Sequence, residues 1–285
     1  MKKIVIAVLV VVLGGFLAWA GSHGGATVGS VSALGLLVAL AFLVQWVGFL
    51  YSWRAQTERY FDLTGSLTYI GLTVVALLVG GPRDARTWLL AAMVIVWAAR
   101  LGTYLFRRIR SSGSDDRFAE ILPDTPRLFL VWTIQGLWVT FTALAAWTAM
   151  TTTPGRPLGW LSLLGGLLWL GGFVLEVTAD AQKSAFRRNP PNKGEFIRTG
   201  VWSRSRHPNY FGEIVTWTGV FLVAAPVLHG WQWVALVSPV FVTVLLTRVS
   251  GIPMLEKKAD RRWGDRADYR EYKRTTPVLI PSVRG

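Results

Sequence analysis

The sequence predicts an all-α fold: a polytopic transmembrane helical bundle of about seven or eight spans, with cytoplasmic loops and a C-terminal amphipathic segment. Three observations predict it. Hydrophobic residues make up 52% of the chain and charged residues 16%, against roughly 25% charged in ordinary soluble domains. Apolar runs of about 20 residues recur, the length a helix needs to cross a hydrocarbon core of about 30 Å. Finally, nearly all the charge is confined to a few polar stretches between those runs.

Taken in order, the apolar segments cover residues 4–20, 31–51, 66–81, 87–106, 128–150, 158–178, 212–228 and 231–249. Each has helical length, whereas the strands of a transmembrane barrel would alternate over only about 10 residues. Residues 1–30 make a first helix and an outside loop, and 31–285 the main membrane domain. The start is signal-like, a basic end and an apolar run closing on Ala18-Trp19-Ala20, but the run reaches spanning length and is taken as an uncleaved helix. With the N-terminus in the cytoplasm, 26 of the 30 Lys and Arg fall on the cytoplasmic side, as insertion favours. Arg83, Arg86 and Arg156 fall outside, and Arg100 lies within a helix. The C-terminus is then cytoplasmic.

Composition excludes several classes. There is no cysteine, so disulfides, thiolate metal sites and cysteine nucleophiles are absent. His23, His207 and His229 are the only histidines, too few for a histidine-box metal centre, and no metal site is expected. The net charge of +14 follows from basic cytoplasmic loops that meet anionic lipids. No extended stretch interleaves aromatic and basic residues, so nucleic acid is not an expected partner.

Ionisable residues at membrane depth are costly and point to function. Arg100, Tyr104 and Arg108 stand at i, i+4 and i+8, one helical stripe; snorkelling to headgroups is the plainer account of Arg107 and Arg108. Glu176 and Asp180 are an i, i+4 pair continued by Lys183 and Arg187. A face graded from acids to bases suits a ligand with sugar hydroxyls at one end and phosphates at the other, and equally suits a salt-bridge ladder. Pro190-Pro191 ends that helix. Gly194 and Gly200 bracket a β-like loop, "EFIRT", and Pro208 starts a new helix. His207, Asn209, Tyr210 and Glu213 then gather at its first turns beside Arg204 and Arg206. Glu256, Trp263, Gly264, Tyr269 and Tyr272 belong to a C-terminal amphipathic segment, either an interfacial helix or a lid.

The pairing of "GEFIRTGVW…SRHPNYFGE" with "WGDRADYREYKRTTPVLIP" resembles the bacterial DUF1295 proteins of the steroid 5α-reductase-like membrane superfamily, over roughly residues 40–283. That superfamily also holds the isoprenylcysteine carboxyl methyltransferases. The resemblance implies a bacterial inner-membrane protein with a cytoplasm-facing nucleotide pocket and a lipid-like small-molecule substrate entering from the membrane. Cofactor contacts are implied for Asn209, Tyr210 and Glu213, and for Arg100, Tyr104, Asp180 and Arg187; Arg108, Glu176, Arg206, His207, Tyr269 and Tyr272 complete the expected cofactor-binding set.

Glu213 favours the reductase branch, because the methyltransferases usually lack a glutamate there. The expected activity is therefore NADPH-dependent reduction of a lipid-soluble olefin or enone. S-adenosylmethionine-dependent methyl transfer to a lipid or prenyl thiol is the alternative. Steroid reductases pair an adjacent Gln-Glu with a tyrosine. Here Gln56 and Glu58 are split by Thr57, and Trp97 occupies the tyrosine position. Glu58 is the expected acid, with Gln56 beside it and Tyr60 or Tyr69 as partners; burial near the apolar interior would raise its pKa into the useful range.

Overall fold

The computed structural model describes residues 2–112 and 118–282. Arg117 and Arg284, both counted to the cytoplasmic side above, lie outside the described residues. Among the described residues, eight helical segments are long and apolar enough to cross a membrane, from Lys2–Gly21 to Gly230–Trp263, and each coincides with one expected from the sequence. The chain divides into two compact units, Met1–Leu163 with Val220–Ser238 and Leu164–Gly219 with Pro239–Gly285.

The first unit is built on α1 (Lys2–Gly21), α2 (Ala33–Ala55), α3 (Phe61–Val79), α4 (Ala85–Ser112) and α5 (Thr125–Thr151). α5 is the hub, packing against α1, α2, α3 and α4. Small polar groups supply interhelical hydrogen bonds where lipid offers none: Gln45 Nε2 donates to Thr68 at 2.8 Å, and Trp147 Nε1 donates to Thr73 at 3.1 Å. A two-residue hairpin, β1 (Thr27–Val28) with β2 (Val31–Ser32), links α1 to α2. At one end of the unit Lys3 pairs with Asp124, the N-cap of α5. Arg86 closes the other end. Its guanidinium is buried and donates to Ser162 Oγ at 2.9 Å, to Pro157 O at 2.8 Å and to Val223 O. Positive-inside counting treated Arg86 as a loop charge; the structure makes it a clamp.

The second unit carries most of α6 (Trp160–Arg188) and the first turns of α7 (Pro208–Ala224), then α8 (Val237–Val244), α9 (Ile252–Trp263) and α10 (Ala267–Thr275). On α6, Leu167, Leu170 and Val174 are exposed along one face, while Gly165, Gly172, Glu176 and Asp180 share the opposite one by helical spacing. On α7, Gly212, Thr216 and Gly219 form the matching row. A Cβ on Gly172 would lie 2.5 Å from Gly212 O, and one on Gly219 would lie 2.5 Å from Gly165 O. The glycines therefore permit backbone-to-backbone approach, as small residues do between membrane helices. The last span is less regular than its apolar run suggested: a 3-10 stretch, Gly230–Leu236, leads into α8, which passes into a π-helical turn, Leu245–Val249.

Candidate functional site

The close approach of α6 and α7 sets up the polar cluster of the second unit. One turn beyond Gly172, a Cβ on Gly212 would stand 3.1 Å from that of Glu176. One turn further, Asn209 Nδ2 donates to Asp180 Oδ1 at 3.4 Å. Glu176 is 3% exposed and Asp180 7%, so two carboxylates are carried on the buried face of a membrane helix. Burying ionised groups is expensive unless they are matched, so their burial sets the pair apart from an exposed surface ladder. Glu213 is half-buried on α7, one turn after Asn209.

The chain leaves α6 as expected. α6 ends at Arg188, a 3-10 turn covers Pro190–Asn192, and the "EFIRT" stretch runs as an extended loop between Gly194 (φ +93°) and Gly200 (φ +62°), without forming a strand. A Cβ on Gly200 would sit 2.4 Å from Gln182 Oε1, the atom that accepts from Val201 N, so glycine is required there for space as well as conformation. The loop then delivers Arg206 and His207 to the start of α7. Ser205 Oγ accepts from His207 N at 3.2 Å and donates to Leu279 O at 2.7 Å. Arg206 N donates to Pro277 O at 2.9 Å. The C-terminal "TPVLIP" strip thus lies along residues 204–206 and fixes them.

Glu256 of α9 is the centre of the charged part of the cluster. His207 Nε2 lies 2.9 Å from its Oε1, Arg206 Nη1 3.0 Å and Lys273 Nζ 3.4 Å from its Oε2. Lys273 also reaches Asp260 at 2.6 Å. The Arg206 side chain is 10% exposed, yet its Nε has no hydrogen-bond acceptor among the described residues. His207 stacks on Tyr210, ring centroids 5.6 Å apart and 10° from parallel. Lys273 and Asp260 were not among the expected site residues, and Glu256 was read only as part of the amphipathic segment. Their signal was the i, i+4 acid pair of α9 with a lysine one helix later, which resembles an ordinary solvated face.

Tyr269 and Tyr272 face the body of the unit. The Tyr272 hydroxyl donates to Trp202 O at 2.6 Å, and the Tyr269 hydroxyl donates to Asp260 Oδ1 at 3.2 Å. Burial pushes both phenols above their ordinary pKa, with Glu256 and Asp260 adding to the effect at Tyr269. Phe196 packs against both rings and against Trp263, whose Nε1 donates to Gly194 O at 2.7 Å. Arg266 clamps Glu195 and Asp268, and its hydrogen bonds hold both carboxylates below their usual range. Arg187 is exposed on the last turn of α6. Lys183 lies over the Trp202 ring at 4.5 Å.

The remaining expected residues belong to the first unit. Arg100 lies 5.5 Å from the Tyr104 ring centroid, and Arg108 pairs with Asp62 at 3.7 Å, so the α4 stripe is a real feature of that unit. Gln56, Glu58 and Tyr60 occupy the α2–α3 turn. Gln56 is the left-handed C-cap of α2 (φ 48°) and is exposed, as is Tyr60, whose ring meets Tyr51 edge-on. Glu58 is half-buried, in a turn and not in the apolar interior where burial was expected to tune it: α2 stops at Ala55, before the acid. Tyr69 is buried edge-on against Trp97, at 5.3 Å and 90°.

Comparison with known proteins gives one partial likeness and one family. The chain is 30% identical over 66 residues to a protein of Ustilaginoidea virens named "Probable O-methyltransferase ustE", an alignment taking in 23% of each chain. No solved structure matches. The family described as "Protein of unknown function (DUF1295)" matches residues 48–276, a range that takes in α3 to α10, the first half of the paired motif and the second as far as Thr276. The chain belongs to the DUF1295 family.

Proposed function

We propose that this protein is a membrane enzyme whose second unit holds a nucleotide cofactor, and that it uses NADPH to reduce an olefin or enone of a lipid-soluble substrate. The observation that carries the reading is Arg206, a nine-tenths buried guanidinium with an unengaged Nε. Guanidinium presents several fixed donors and favours phosphate oxygens, so its pairing with Glu256 leaves donors for a second anion. At the α6–α7 crossing, Asp180 and Glu176 supply buried acceptors of the kind that bind ribose hydroxyls, with Asn209 already at Asp180. A cofactor with hydroxyls and several phosphates fits this donor set: the carboxylates take the sugar, and Arg206 takes the phosphate. NADPH, when bound, supplies a hydride equivalent. The chain's own task is to orient the nucleotide and keep water from it.

The partial likeness to a protein named as an O-methyltransferase favours a second reading, methyl transfer from S-adenosylmethionine. That cofactor would use the same carboxylates but brings no phosphate for Arg206. Thermal stability of the detergent-purified protein with NADPH, NADH or S-adenosylmethionine separates the two. A ligand specific to the folded state stabilises by about 2.7 kcal/mol at a hundredfold excess over Kd. The reading expects a rise with NADPH that Arg206→Gln abolishes. A rise with S-adenosylmethionine alone overturns it in favour of methyl transfer.

A further inference from the structure

α9 is sorted into two chemically distinct faces. Glu256 and Asp260, four residues apart, face α10 and engage Lys273. Lys257 and Arg261 form one i, i+4 row flanking that face, and Lys258 and Arg262 form another on the far side of the helix. All four are exposed, and with Met254 they form one open patch on the helix. Several cations of α10 and the preceding turn are spent on carboxylates, Arg266 on Glu195 and Asp268, Lys273 on Glu256 and Asp260 and Arg274 on Glu271, while Arg270 donates to the backbone of Gly264 and Asp265. Among the described residues, no carboxylate pairs with Lys257, Lys258, Arg261 or Arg262.

We propose that this outward face of α9 binds the headgroup of an anionic phospholipid. The helix follows directly from a membrane span, within the continuous segment Gly230–Trp263. Exposed Val249 and Met254 carry the apolar surface up to the cations, an arrangement that sets acyl chains below and phosphodiester above. Four cations held in two rows on one rigid helix concentrate charge where a surface lysine or arginine is worth about 1 kcal/mol against anionic lipid. Because the opposite face of the same helix carries Glu256, a bound headgroup also steadies the carboxylate that holds Arg206 and His207.

Native mass spectrometry of the full chain in detergent, supplied with equal phosphatidylglycerol and phosphatidylcholine, tests this. Wild type should retain the anionic lipid in at least about fivefold preference, the worth of a single cation at an anionic surface, and the preference should shrink as salt is raised. Lys257→Gln/Lys258→Gln/Arg261→Gln/Arg262→Gln should bring the two lipids near parity while thermal stability in detergent alone stays that of wild type. Should that variant lose stability, the pair Lys257→Gln/Arg261→Gln is read by the same ratio and should lower it. Equal retention by wild type, or an undiminished preference in the variants, overturns the proposal.

Discussion

Replacing Glu256 by glutamine isolates the electrostatic part of the cluster, because it keeps shape and an acceptor for His207 while removing the charge. Three nitrogens lie within 3.4 Å of that carboxylate. Lys273 keeps Asp260 at 2.6 Å and loses little. Arg206 has no such reserve, since its side chain is 10% exposed and its Nε is already unengaged. Breaking a buried pair from one side costs about 3–5 kcal/mol, mostly through the charge left behind. Glu256 is itself 21% exposed, so the lower figure applies, about 3 kcal/mol, or a fall in Tm of about 6 °C at roughly 2 °C per kcal/mol. Differential scanning fluorimetry in detergent reads it directly. The double variant Arg206→Met/Glu256→Met should recover much of the loss, because removing both members of a buried pair is often neutral. A Glu256→Gln protein melting with wild type, or a double variant worse than the sum of the singles, would refute the view that Glu256 holds a buried guanidinium.

Further outcomes follow from other contacts. Arg86→Met removes three hydrogen bonds from a buried guanidinium and should cost about 4 kcal/mol, seen as a large drop in Tm; a Tm equal to wild type would show that the clamp is dispensable. Gly212→Ala would set a Cβ 2.6 Å from Gly172 O and 2.9 Å from Glu176 N; such overpacking costs about 1–3 kcal/mol, and the melting curve should shift accordingly. Tyr272→Phe deletes the bond to Trp202 O and should lower stability by about 1 kcal/mol while any NADPH-induced rise in Tm persists. Arg266 depresses Glu195 and Asp268, so the stability they lend is present above their ordinary pKa of about 4 and is lost as pH falls through their lowered values. Arg266→Gln should therefore flatten the acid limb of Tm against pH below about pH 4, and an unchanged limb would exclude the clamp as its source.

Span positions were legible because length and apolarity settle them: all eight helical segments coincide with apolar runs in the chain. Helix ends marked by proline were legible too, α6 stopping before Pro190-Pro191 and α7 starting at Pro208. The interior of the last span was not. A uniformly apolar run looks the same whether its backbone closes on the third, fourth or fifth residue, so the 3-10 and π turns around α8 left no compositional trace. Arg86 was hidden for a related reason. Charge counting assigns it a side of the membrane, whereas its role depends on Pro157, Ser162 and Val223, far away in sequence. The Gly165/Gly172 and Gly212/Gly219 rows were present as seven-residue spacings, but glycine is common along the chain and only the crossing shows which glycines meet.

Within the candidate site, sequence grouped residues that the structure divides by task. The paired motifs are held together largely by each other: Trp263 reaches Gly194 O, Arg266 reaches Glu195, Tyr272 reaches Trp202 O, and the closing "TPVLIP" strip pins residues 204–206. Their dense hydrogen bonding is thus the means by which a loop and two short helices, too polar to be fixed by membrane burial, acquire one conformation. Charged and aromatic residues that look catalytic in a string are in part replacing the apolar core that such a segment lacks. The proposed nucleotide reading draws instead on groups buried away from that network of motif contacts: Asp180 and Glu176 on the inner face of α6, and Arg206 with its unengaged Nε. The α6–α7 glycine contact holds the first two and the C-terminal strip fixes the third, so the scaffold and the proposed site draw on the same short stretches of sequence.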